Sequence, residues 1–204
     1  MTYHEFCFSF TNEYYELKSL YSNMSKINTG IKFKSSSGDI TKGIKWIWAS
    51  NKCTLNYFKR FFQSINLKEK LRSIFNSEFI LRGASFIILE QSKVKDSEFH
   101  YDTFSRYDTE DTNILTIIFP LFKIDEKMGN LEFKNGLETD IYEYYPNKLV
   151  IWDSNKFLHR TQPYECDKPK KRVLVSVNLS TNEDWAVKTI NNTLKHQGSE
   201  LWVC

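Results

Sequence analysis

Hydrophobic and polar positions change period part-way along this chain. Between residues 13 and 24, Tyr14, Leu17, Leu20 and Tyr21 recur at three- and four-residue steps, the spacing of one helix face. Leu55, Phe58, Phe62 and Ile65 repeat that spacing. Leu67, Leu71, Ile74 and Phe75 repeat it again, so two short helices are predicted to pack on a sheet. Ile44-Lys45-Trp46-Ile47-Trp48 reads as a strand, and the polar stretch 29–43, with Ser35-Ser36-Ser37-Gly38, as a loop or irregular hairpin. From 85 to 180 the pattern becomes that of strands, at 85–91, 99–104, 113–121, 130–134, 140–145, 148–152, 159–164 and 172–180. Turn signals separate them: Met128-Gly129-Asn130, Asn135-Gly136, Pro146-Asn147, Asp153-Ser154 and Lys168-Pro169. Short strands with short connections predict a mainly β fold with flanking helices, built as a two-sheet jelly roll. Ser180-Thr181-Asn182-Glu183 has the form of a capping box for a closing helix over 181–195, with Trp185, Ile190 and Leu194 partly facing the core. The tail 198–204 is expected to cover a sheet edge or a pocket mouth.

Length and charge narrow the function classes. At 204 residues the chain is read as one domain: a helical and mixed lead-in over 1–84, a jelly-roll core over 85–180, then a closing helix and tail over 181–204. Its 28 basic and 25 acidic residues leave a net charge of +3, which gives no electrostatic case for a membrane surface. Nucleic acid is disfavoured on the same ground and left open. No apolar run has the length of a membrane span. Cys7, Cys53, Cys166 and Cys204 are scattered without a Cys-x-x-Cys pair, so a reduced protein is expected and a zinc-cysteine site is not. The start, Met1-Thr2-Tyr3-His4-Glu5, lacks the basic and apolar segments of a signal peptide, which points to the cytoplasm.

The candidate chemistry lies at Phe99-His100-Tyr101-Asp102-Thr103-Phe104. In an extended strand His100 and Asp102 share a face. An isolated His-x-Asp is usually a surface pair. The histidine that can complete it is His159, just beyond the strand 148–152 and the turn Asp153-Ser154-Asn155-Lys156. His4 and His196 have no partner by spacing and are given surface roles. Two histidines and one carboxylate on one side of a metal form the facial triad of non-haem Fe(II) oxygenases. Beyond His159, Arg172-Val173-Leu174-Val175-Ser176-Val177-Asn178-Leu179 reads as a buried strand. Alternation places Arg172, Leu174, Ser176 and Asn178 on one face, and the valines and Leu179 on the other. An inward arginine is costly unless it meets an anion, and its planar fork suits a carboxylate.

This order of His-x-Asp, distal His and strand-opening Arg with a hydroxyl four residues on resembles the Fe(II)- and 2-oxoglutarate-dependent oxygenases, most nearly their prolyl-hydroxylase-like branch. The resemblance covers roughly 85–180. It implies a double-stranded β-helix of the cupin-like kind. It implies Fe(II) on His100, Asp102 and His159, and 2-oxoglutarate held through its far carboxylate by Arg172 with Ser176. It further implies O2 as reactant, ascorbate as an optional reductant, and hydroxylation of a C–H bond coupled to conversion of 2-oxoglutarate to succinate and CO2. The carboxylate at Asp102 implies hydroxylation in place of halogenation. Gly129 falls where the family tends to have glycine. The polar residue, often Tyr, that the family carries near the His-x-Asp strands has no clear counterpart; Glu90 and Thr116 fall in those regions.

Other residues read more plainly. Residues 167–172 are basic and are taken as a solvated loop. Arg160 would point away from a metal at His159, to the surface or the substrate mouth. Trp152 is taken as core. Two rival readings stay open: a cupin-type metal-dependent isomerase or hydrolase, and a non-catalytic jelly-roll binding module. The substrate, whether a small molecule, an amino acid or a peptide, is not written in these residues.

Overall fold

Two antiparallel sheets and four helices make up the computed structural model, which describes residues 3–27, 44–49, 51–94, 98–103, 109–124 and 128–197. The order is β1 (His4–Cys7), α1 (Asn12–Ile27), β2 (Ile44–Trp48), α2 (Lys52–Ser64), α3 (Leu67–Phe75), β3 (Ile80–Val94), β4 (Ile114–Pro120), β5 (Leu131–Asn135), β6 (Glu138–Tyr142), β7 (Lys148–Asp153), β8 (His159–Thr161), β9 (Tyr164–Ser180) and α4 (Asp184–His196). The larger sheet runs β1-β7-β4-β9-β3-β2, and the smaller one β6-β5-β8. This is the expected mainly β jelly roll.

Side-chain alternation decides which face meets what. On β4, β7 and β9, residues Leu115, Ile117, Phe119, Leu149, Ile151, Val173, Val175 and Val177 point to the helical layer. There they pack on Tyr14 and Leu17 of α1 and on Leu55, Phe58 and Phe61 of α2. The intervening residues Ile118, Val150, Trp152 and Leu174 point the other way, against Leu131, Phe133 and Tyr142 of the smaller sheet. Burying each such side chain contributes about 1.5–3 kcal/mol, so the two apolar layers lock the large sheet from both sides. The Tyr14 hydroxyl donates to the Leu121 carbonyl at 2.8 Å and ties α1 to the end of β4. Helix α4 closes one end, with Ala186, Ile190 and Leu194 packed on Trp48 and Ile114.

Several element boundaries differ from the sequence reading, each for a local reason. The lead-in supplies more strand than the one expected at Ile44–Trp48, which is β2: β1 is added, β1 and β2 form the two edges of the large sheet, and β3 begins at Ile80. Strand β1 holds only four residues, too few for a visible alternation. Strand β9 begins at Tyr164, so the expected loop and turn at Lys168-Pro169 lie inside a strand. Its register against β3 slips between Lys170, opposite Gln91, and Glu165, opposite Lys93. Such an irregularity is where a sheet tolerates proline. Of the predicted strand 99–104, the described residues 99–103 form a single bridge, at His100. The predicted capping box is not formed. Helix α4 starts at Asp184 behind Glu183, which makes no side-chain cap. Ser180 is instead fixed in β9, where its Oγ accepts from Arg82 Nε at 2.9 Å and donates to the Thr181 carbonyl at 2.7 Å. The expectations for 29–43 and for the tail lie outside the described residues.

Candidate metal centre

The backbone brings His100 and His159 together first. They form an antiparallel bridge in which each N–H donates to the other's carbonyl at 3.0 Å. Residues that exchange both bonds present their side chains on one side of the sheet. The two rings accordingly lie 4.5 Å apart between centroids. Asp102 follows in the bend after His100, and one ligand atom from each of the three residues lies within 4.8 Å of the other two. His159 is buried and His100 exposed, so the cluster sits at a mouth open on one side.

The protonation pattern suits a cation. His100 Nδ1 lies 3.1 Å from the Glu98 carbonyl, and His159 Nδ1 3.4 Å from the Phe157 carbonyl. A carbonyl only accepts, so Nδ1 carries the hydrogen on each ring and Nε2 is left as the ligating atom. His159 Nε2 then faces Asp102 Oδ1 at 3.4 Å. Two lone-pair-bearing atoms so placed need a proton or a metal ion between them. Desolvation, and then the neighbouring His159 ring, push the His100 imidazole below its ordinary range, which favours the neutral, ligating form. Burial would raise the Asp102 carboxyl, but His159, His100 and the Thr116 hydroxyl outweigh it and hold it at about 2. Asp102 is thus a carboxylate at neutral pH, and one carboxylate with two histidines is the donor set of a non-haem iron site.

A second polar group lies deeper between the sheets. Arg172, on the inner face of β9, is 4% exposed. Its Nη1 donates to the carbonyls of Gly129 at 2.9 Å and Met128 at 3.3 Å, and its Nη2 to Thr161 Oγ1 at 3.2 Å. Its Nε is buried without a hydrogen-bond partner, and no carboxylate among the described residues pairs with it. Tyr144 lies beside it, with the guanidinium carbon 5.4 Å from the ring centroid. Burial raises the Tyr144 phenol in spite of Arg172, so it stays protonated. A buried guanidinium lacking an anion fits a small carboxylate ligand. Thr161 and His159 share the inward face of β8, two residues or about 7 Å apart along the strand. Thr161 thus links the inward face that carries His159 to the Arg172 guanidinium.

The sequence reading placed five residues at this site. His100, Asp102 and His159 come together as expected, and Arg172 points inward as expected. Ser176 lies on the same face of β9, but the hydroxyl that meets Arg172 is that of Thr161. Four strand residues span about 13 Å, beyond the reach of an arginine side chain that is held by Gly129 and Thr161. Glu90 faces away, paired with Lys45 at 3.3 Å and Lys171 at 3.2 Å. Arg160 points outward from β8 as expected and pairs with Glu132 at 2.5 Å. Thr161 was legible, since period two places it beside His159. Tyr144, in the connection after β6, carries no sequence signal of its role.

The architecture has well-matched relatives among solved structures. No family model matches the chain, and no curated protein matches its sequence. The epimerase SnoN, solved in complex with Fe3+, alpha ketoglutarate and nogalamycin RO, superposes with a TM-score of 0.64 at 12% identity, covering 88% of this chain and 79% of that one. A prolyl hydroxylase from Trichoplax adhaerens, in complex with a hypoxia inducible factor peptide fragment, gives 0.63 at 12% identity, covering 88% and 84%. The viral collagen prolyl hydroxylase of Paramecium Bursaria Chlorella virus-1, a 2-oxoglutarate complex, gives 0.58 at 13% identity, covering 89% and 97%. The fold is that of the 2-oxoglutarate-dependent oxygenases. This oxygenase fold accounts for the two unequal sheets and for the position of the cluster at one open end.

Proposed function

We propose that this chain is a non-haem Fe(II)- and 2-oxoglutarate-dependent dioxygenase that hydroxylates a C–H bond of an amino-acid, peptide or small-molecule substrate. The single observation that carries the reading is the juxtaposition of two unlike halves. A His–Asp–His cluster stands at the mouth, and an anion-free buried guanidinium stands behind it. A hydrolase or isomerase centre would use the first half and give no reason for the second. The two prolyl-hydroxylase neighbours support the hydroxylation, and the Fe3+ and alpha ketoglutarate bound to the epimerase SnoN support the metal and the co-substrate.

His100, Asp102 and His159 would hold the iron through two Nε2 atoms and one carboxylate oxygen. Arg172, with Thr161 and Tyr144 beside it, would hold the far carboxylate of 2-oxoglutarate; Ser176 is retained as a further candidate on that face. When bound, the iron supplies oxidative chemistry in which O2, 2-oxoglutarate and a substrate C–H bond become succinate, CO2 and an alcohol. The chain's own residues position and seclude. Asp102 is ionised at neutral pH and neutralises part of the cation's charge. The Phe133 and Trp152 rings, 6.0 and 4.9 Å from the His159 ring, would keep water from the inner side of the cluster. The exposed side of His100 leaves an approach for substrate, and ascorbate can serve as reductant from solution. A single domain over 1–204 in the cytoplasm is consistent with the exposed free thiols of Cys7 and Cys53, and no helix among the described residues is long and apolar enough to cross a membrane.

The test is anaerobic titration with Fe(II), then succinate release from 2-oxoglutarate and O2 against a panel of amino acids and peptides. Wild type should bind metal and form succinate, and His100→Ala and Asp102→Ala should do neither. Equal metal binding or equal succinate release in wild type and both variants overturns the reading. Turnover that inverts a stereocentre without adding oxygen moves it to the epimerase side of the fold.

A further inference from the structure

Asp102 is a carboxylate with a designated inner and outer oxygen. Oδ2 accepts from Thr116 Oγ1 at 2.7 Å and from the indole Nε1 of Trp152 at 3.0 Å. Oδ1 accepts from neither and faces His159 Nε2. The direction of the hydrogen-bond chain is fixed by elementary chemistry. A carboxylate only accepts, so Thr116 must donate to Asp102. Its single hydrogen is then used, so Ser154 Oγ, 2.7 Å away, must donate to Thr116. Ser154 is itself anchored. Its N–H donates to the Ile114 carbonyl at 3.0 Å, and its own carbonyl lies 3.4 Å from Thr103 Oγ1, next to Asp102. Trp152 and Thr116 sit opposite each other in register on β7 and β4, so both donors arise from one rung of the large sheet. Trp152 is 1% exposed and packed by Phe133, which fixes its indole plane.

From this we infer that Trp152, Thr116 and Ser154 are positioning residues that saturate Asp102 Oδ2 and leave Oδ1 alone to meet the metal. The inference rests on the metal-centre reading above. Two independent facts support it. Asp102 lies in a bend, outside any regular strand, so its own backbone does not fix its rotamer. Both donors come from the rigid large sheet, so that sheet sets the carboxylate, while the histidine pair is set by the bridge to β8. The buried indole N–H and the Thr116 hydroxyl would otherwise be unexplained polar atoms in an apolar layer, where an unmatched donor is costly.

The experiment is Co(II) titration of the metal-free protein, followed by d–d absorption, without 2-oxoglutarate or turnover. The variants are Trp152→Phe, Thr116→Val and Thr116→Ser, with Asp102→Ala as reference. Loss of an outer partner of a metal ligand typically weakens metal affinity about 10–100-fold. Trp152→Phe and Thr116→Val should each weaken Co(II) binding by about tenfold or more and alter the absorption band, and Thr116→Ser should keep both near wild type. Each variant's melting temperature without metal is recorded alongside. A Thr116→Ser variant that loses affinity as Thr116→Val does, or Trp152→Phe and Thr116→Val variants that bind with wild-type affinity and spectrum, overturns the positioning role. If Asp102→Ala also binds as wild type, the failure belongs to the metal-centre reading itself.

Discussion

Two glycines with nearly the same backbone angle offer a controlled test of how the anion site is built. Gly129 has φ +70° and Gly136 has φ +64°, both in the left-handed region. Either replaced by Ala would incur about 1–2 kcal/mol of backbone strain. Their surroundings differ. A Cβ on Gly129 would lie 2.4 Å from the Gln162 carbonyl oxygen and 2.8 Å from Tyr164 Cδ1, whereas one on Gly136 meets nothing within 4 Å. The Gln162 oxygen is backbone and cannot rotate away, so the chain must shift, at a further cost of about 1–3 kcal/mol. Gly136→Ala should therefore lower Tm by roughly 2–8 °C, and Gly129→Ala by roughly 4–20 °C, at about 2–4 °C per kcal/mol for a chain of this size. The Gly129 carbonyl also holds Arg172 Nη1 at 2.9 Å, so its shift should reach the anion site. Scanning calorimetry with and without 2-oxoglutarate reads both effects. The stabilisation by 2-oxoglutarate should shrink in Gly129→Ala and persist in Gly136→Ala. Equal Tm losses in the two variants, or an undiminished 2-oxoglutarate shift in Gly129→Ala, would refute the reasoning.

Other expected outcomes are more direct. Arg172→Gln keeps a polar head but removes the charge; it should abolish the thermal shift given by 2-oxoglutarate while leaving Co(II) affinity within about threefold of wild type, since Arg172 bonds to Met128, Gly129 and Thr161 and only the loss of a ligand's own partner costs tenfold or more. Phe86→Ala opens a cavity beside Tyr21 and Phe58 and should cost about 3–5 kcal/mol in urea unfolding, whereas Leu137→Ala, at the fully exposed tip between β5 and β6, should change stability by less than about 0.5 kcal/mol. Burial raises the Asp153 carboxyl above its ordinary range even with Lys156 at 3.6 Å. The folded state then holds that proton more tightly than the unfolded one, so the folded protein loses stability as pH rises through the window between the two values. Melting curves from about pH 4 to 7 should show wild type falling relative to Asp153→Asn over that interval, and parallel curves would exclude the effect.

The candidate ligands were more legible in the sequence than the residues packed behind them. His100, Asp102, His159 and Arg172 were visible because their chemistry is rare and their order along the chain informative. The alternation of Arg172 and Leu174 against Val173 and Val175 gave the correct inward face, because period two is a local property of a strand. Trp152 read as core, and it is core; its hydrogen bond to Asp102 depends on which strand lies beside β7, and no local pattern encodes that. Tyr144 sits in a connection, and its place over Arg172 follows from how the smaller sheet folds back. The Ser180 box misled because its residues are shared: a hydroxyl at the last residue of β9 cannot also cap a helix when Arg82 reaches it first. The Lys168-Pro169 turn misled because proline marks a sheet irregularity as readily as a loop.

The mutual backbone pairing of His100 and His159 has an evolutionary and engineering consequence. The alignment of the two imidazoles is a matter of strand phase, independent of how much chain lies between them. Insertions or deletions at the exposed β5–β6 tip around Leu137 leave that phase unchanged. A slip of one residue at the bridge would turn one ring to the opposite side of the sheet and dismantle the centre at a stroke. Changes of length between the two histidines are therefore best confined to that tip, with the bridge left untouched.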